Sequence, residues 1–156
     1  MKKLHQTVGG LRKFSEQYTR TLQTFHAFRE RVRTVGEDDT GNLQFKYPVF
    51  DERDNEFSVR ISDRTVRFVF HMDFIRTEQT IPRLDYFGVV KAFVYWPWQE
   101  RELSARVPAF AEFTIKGENW VELPVPGSET PVDVDLHSEV ENLIFHLLYE
   151  ASLVKV

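Results

Sequence analysis

The spacing of apolar residues changes twice along this chain, and the two changes set the order of its elements. Over residues 11–33, Leu11, Phe14, Tyr18, Leu22, Phe25, Phe28 and Val32 recur every three or four positions, which places them on one stripe of an amphipathic helix. Beyond the turn-rich stretch Gly36–Asn42 the repeat shortens to two. Leu43, Phe45, Tyr47 and Val49 alternate with Gln44, Lys46 and Pro48, as strand residues do. Toward the end of the chain Val140, Leu143, Ile144, Leu147, Leu148, Ala151 and Val154 restore the helical spacing.

Between the helices the alternation predicts a series of short strands. Phe57, Val59 and Ile61 alternate with polar residues, Ser62-Asp63-Arg64 turns the chain, and Val66, Phe68, Phe70, Met72 and Phe74 follow. Tyr86–Trp96 is apolar on both faces apart from Lys91, which predicts a central strand ended by Pro97. Residues 109–116 and 120–125 supply two more. Pro48 cannot donate to a ladder, so the strand before it should end there or lie at an edge. The acidic segment Asp51–Glu56 reads as a solvated loop tip. Gly9-Gly10 should divide the first helix from a flexible or loosely packed lead-in over residues 1–10. Ser138-Glu139-Val140-Glu141 matches a capping box for the last helix, with Asp135 an alternative cap. The expectation is one α+β domain over residues 1–156, an antiparallel sheet of about six strands with an N-terminal and a C-terminal helix packed on it.

Such a sheet has one strongly apolar face and one mixed face, where Arg60, Arg67, His71 and Lys91 stand beside Phe87, Val89, Phe93 and Tyr95. If both helices cover the first face, the second needs another cover, so either one helix lies on each face or a second subunit covers it, and a homodimer is the expectation. Charge is uneven too. Residues 1–34 carry Lys2, Lys3, Arg12, Lys13, Arg20, Arg29, Arg31 and Arg33 against Glu16 and Glu30, while the whole chain has a net charge of −4. A basic helix resting on an acidic body accounts for this without invoking nucleic acid. Cysteine is absent, which removes disulfides and thiol chemistry. No apolar run reaches the length of a signal sequence's core or a membrane span, and the expected protein is soluble and cytoplasmic.

Motifs that carry chemistry are scarce. The sequence has no phosphate-binding glycine loop and no Gly-x-Ser-x-Gly elbow. His71 and Asp73 share a strand face, and His146 and Glu150 share a helix face, with His137 the nearest further ligand. Both pairs read as surface polar groups, so no catalytic residue, metal or cofactor is expected. Tyr95, Trp96 and Trp98 gather three large aromatics at a strand end beside Glu100, Arg101 and Glu102. Aromatic anchors with a charged rim suit a protein interface. The expected function is therefore non-enzymatic recognition of a protein partner, in the manner of bacterial inhibitor, immunity or chaperone-like accessory proteins. One alternative is a small-ligand or nucleotide binder with Arg60, Arg67, His71 and Lys91 around a pocket between sheet and helix. Another is a single-stranded nucleic-acid binder on the basic and aromatic face.

Overall fold

A 36-residue helix, α1 (Lys2–Glu37), opens the chain. It runs straight through Gly9-Gly10. Glycine costs about 1 kcal/mol in a helix and does not forbid it, and no proline or cap interrupts the good helix formers on either side. The lead-in is thus helical from Lys2, with Val8 exposed. The computed structural model describes residues 2–38, 46–77, 83–96, 108–116, 119–122 and 131–155.

Seven strands follow: β1 (Val49–Arg53), β2 (Glu56–Ile61), β3 (Arg64–Thr77), β4 (Arg83–Tyr95), β5 (Ala111–Ile115), β6 (Trp120–Glu122) and β7 (Val132–Asp133). A second helix, α2 (His137–Leu153), closes the fold. Each strand pairs antiparallel with the next, so spatial order is chain order. The fold is the expected α+β arrangement, with one strand more than the alternation indicated. β1 occupies part of the acidic stretch read as a loop, and the β1–β2 turn falls on Asp54-Asn55. Tyr47 and Pro48 precede β1 rather than lying in a strand. The Tyr47 ring is buried instead, and its hydroxyl donates to the Val32 carbonyl at 2.9 Å.

The pleat sorts the strands into two faces. Phe57 and Val59, then Val66, Phe68 and Phe70, then Val90, Ala92 and Val94, then Phe113 and Ile115 all enter one core cluster. α1 lays Phe25 and Phe28 into it. Phe28 meets Phe57, Phe68 and Phe113 at ring distances of 6.0, 6.1 and 5.4 Å. α2 contributes Val140, Leu143, Ile144, Leu147, Leu148 and Ala151 to the same cluster, the residues its spacing indicated. Gly88 lets α1 approach β4 closely: a Cβ there would stand 2.5 Å from the Phe70 ring and 3.3 Å from Thr21 Cβ. Arg64 latches the end of α2 by donating to the carbonyls of Ala151 and Val154 at 2.7 and 2.6 Å.

Both helices therefore share one face of the sheet. On the far face Val89 is 1% exposed and Tyr95 is buried, but Ile75 is 53% exposed and Val69, Phe87 and Phe93 are half-buried. The start of α2 departs from the capping box. The cap position is Leu136, with no side-chain hydrogen bond, and Ser138 already lies inside the helix. Glu139 accepts the Asp133 N–H at 2.6 Å instead. The basic helix does rest on acidic groups over its second half, where Arg29 and Arg33 both pair with Glu52. Arg31 donates to the Asp135 carbonyl at 2.9 Å. Among the described residues, no helix is long and apolar enough to cross a membrane.

Candidate functional site

The aromatic corner is folded inward. Trp96 is 5% exposed and belongs to the core cluster, with the Arg64 guanidinium 5.5 Å from its ring centre. Tyr95 is buried on the other face. Neither presents a ring to a partner: Trp96 packs into the core beside Arg64, and Tyr95 hydrogen-bonds Arg67 on the opposite face. Trp98, Glu100, Arg101 and Glu102 lie outside the described residues.

Arg60, Arg67, His71 and Lys91 do share a face, but it is the one without helices, since they alternate with core residues. They cannot line a pocket between sheet and helix together. Arg67 is committed to Glu56, with Nε donating to Oε2 at 2.9 Å. Burial alone would lower the Arg67 pKa, but the hydrogen bond and charge of Glu56 outweigh it and raise the pKa. Lys91 stands opposite Glu112 in the β4–β5 register, and His71 opposite Val89. Arg60 alone reaches a cleft of about 600 Å³, beside Lys46, Ile61, Phe145, Leu148 and Tyr149. These pairings also dilute the positive field that a nucleic-acid strand would need. Among the described residues Asp73 makes no hydrogen bond to His71; its Oδ1 accepts the Phe74 N–H at 2.8 Å. His146 and Glu150 are exposed on α2, and His137 stands nine residues earlier, about 13.5 Å along the helix axis.

A different surface emerges where β3 outruns its neighbour. β2 pairs with β3 only from Arg64 to Val69, whereas β4 follows β3 as far as Thr77. Beyond Phe70, whose N–H donates to the Asn55 carbonyl at 2.7 Å, β3 has a ladder partner on one side only among the described residues. Peptide directions alternate along a strand, so the N–H groups of Met72 and Arg76 point into that open edge as Phe70's points to Asn55, while that of Phe74 is taken by the Asp73 carboxylate.

The first half of α1 overhangs this edge. Tyr18 lies 6.0 Å from the Phe70 ring, and Thr21 Oγ1 lies 3.2 Å from Met72 Sδ. Phe14 packs edge-on to Tyr86 at 5.3 Å, and Phe74 meets the same ring at 6.5 Å. Val8, Leu11 and Tyr18 form a lateral stripe, turned by about 80° from the sheet-facing residues at 100° per position. Leu11 is 64% exposed and Phe74 56%. An open strand edge roofed by an exposed apolar helix stripe is a feature that soluble proteins ordinarily cover or charge.

Sequence spacing had assigned Leu11 and Tyr18 to the core stripe. One signal pointed elsewhere: a β3 alternation far longer than that of the strand before it. No protein-family model matches the sequence, and no curated protein or solved structure matches it either.

Proposed function

We propose that the chain is a non-enzymatic binding protein that recognises a protein partner by adding an extended segment of that partner to the β3 edge. The observation that carries this reading is the overhang of β3 beyond Asn55 beneath the exposed stripe of α1. A strand laid along Met72–Arg76 would receive main-chain hydrogen bonds from the edge. Its alternate side chains would meet Leu11, Tyr18 and Phe74. Main-chain bonding gives affinity and the helix stripe gives choice of side chain, as in other cases of strand addition.

Charge selects the occupant. The first 20 residues carry Lys2, Lys3, Arg12, Lys13 and Arg20 against Glu16. Arg12, about 40° round the helix from Val8, is exposed and forms no ion pair among the described residues, whereas Arg20 faces away from the stripe. A second copy would bring the same basic helix against the first, while an apolar segment with acidic flanks is complementary. The partner segment is accordingly extended, apolar and acidic.

Display of random peptides against the full chain tests this, with affinities read by fluorescence anisotropy. Selected peptides should be apolar and acidic, and should lose at least tenfold in affinity on Arg76→Pro and on Leu11→Glu. Proline is tolerated on an edge strand whose N–H faces solvent, so Arg76→Pro removes a donor without breaking the β4 ladder. Peptides that bind both variants as well as the parent chain would overturn the proposal. So would a concentration-dependent dimer abolished by the same variants, which would assign the edge to a second copy.

A further inference from the structure

We propose that Asp38, His137 and Glu141 form a binding site for one divalent transition metal of the zinc class. The three come from opposite ends of the sequence. Asp38 follows the last residue of α1, His137 is the first residue of α2, and Glu141 lies one turn further on. The packing of the two helices brings them together. His137 Nε2 lies 3.5 Å from Asp38 Oδ2 and 3.3 Å from Glu141 Oε2, and all three ligand atoms fall within 4.8 Å of one another.

The two separations from His137 are longer than charge-assisted hydrogen bonds and close to the edge of a zinc tetrahedron, and the two carboxylate oxygens lie within 4.8 Å of each other. A charge-assisted hydrogen bond to a carboxylate closes to about 2.7–2.9 Å. Ligands held about 2.0–2.1 Å from a tetrahedral zinc stand roughly 3.3–3.4 Å apart along each edge of the tetrahedron. The donor set narrows the ion. Calcium and magnesium take oxygen ligands, and a single imidazole with two carboxylates suits zinc and its neighbours.

Glu141 supplies an independent reason. Its side chain is only 12% exposed, and its one ion pair among the described residues is to His137. Tyr47 nearby brings no compensating charge: burial, and then the Glu141 carboxylate itself, push the phenol's pKa upward and hold it neutral. A carboxylate so enclosed is costly without a cation. The C-terminal end of α1 also carries partial negative charge toward Asp38. Three protein ligands leave one tetrahedral position for water or a further ligand. A bound ion would tie the end of α1 to the start of α2, away from the β3 edge.

The test is calorimetric titration of the full chain with zinc chloride after chelator treatment, alongside its melting curve. One equivalent should bind with a dissociation constant of micromolar or tighter and raise Tm. Binding should weaken at least tenfold in His137→Ala and in Glu141→Gln, and should persist in His146→Ala, which removes the exposed helix-face histidine. The wild-type chain supplies a second reading that does not depend on the folding of a variant: the His137 Nε2 resonance should shift with the first equivalent of zinc. Absence of one-equivalent binding, binding unchanged in the His137 and Glu141 variants, or loss in His146→Ala would each overturn the site.

Discussion

The Arg67 guanidinium grips the Glu56 carboxylate across the β2–β3 ladder, with Nε and Nη2 both directed at Oε2, on the face of the sheet that carries no helix. Glu56 is buried, and Arg53 reaches it from the turn as well. Removing one partner leaves the other charge enclosed. Arg67→Met should destabilise the fold by about 3 kcal/mol, and Glu56→Gln in the same background should recover much of that. Urea unfolding of the two single variants and the double variant measures the coupling.

Phe28 is the ring on which the helix and sheet layers meet. It is fully buried against Phe57, Phe68 and Phe113. Phe28→Ala should cost about 3–5 kcal/mol, because three rigid rings cannot collapse into the space it leaves. Phe14→Ala, on the overhang of the same helix, should cost far less, since that ring is already partly in water. Parallel melting curves of the two variants compare the halves of α1 directly.

Alkaline pH should unfold the protein through Tyr47. Burial and the charge of Glu141 raise its pKa above the ordinary value of 10.0. A group whose folded pKa is raised stabilises fully below its unfolded pKa and loses that stabilisation as pH rises beyond it. Above about pH 10 each further unit should cost up to about 1.4 kcal/mol from this residue, until the folded form also ionises. Tyr47→Phe gives up the bond to the Val32 carbonyl, worth about 1 kcal/mol at neutral pH, and should show a flatter stability curve above pH 10. Unfolding free energies at pH 8, 10 and 11 test the difference.

Period alone placed the two helices and most of the core in view, while the strand order came only with the pairing. The rows Phe57–Val59, Val66–Phe70 and Phe113–Ile115 are strict alternations, and a pleated sheet must put each on one side. The same rule placed Arg67, His71 and Lys91 together on a face, but could not say which face the helices would take. Trp96 misled for a related reason. A tryptophan after a strand can turn either way, and what decided it was Arg64 and the end of α2, far off in sequence. The β3 edge depends on the difference between two strand lengths. β1 was hidden because Asp51–Glu56 is as polar as a loop, an edge strand having little core to face. The His137–Glu141 spacing was as legible as that of His146 and Glu150, but Asp38 joins it only through the packing of α1 on α2.

Amide hydrogen exchange on the full chain, with and without a selected acidic, extended peptide, tests the central claim most directly. Before addition, the amides of Met72 and Arg76 should exchange rapidly beside slowly exchanging neighbours that bond to β4, such as Val69. Saturating peptide should slow Met72 and Arg76 at least tenfold and leave α2 unchanged. Slowing confined to α2 or to the face of Arg67, with Met72 and Arg76 still rapid, would contradict strand addition at β3.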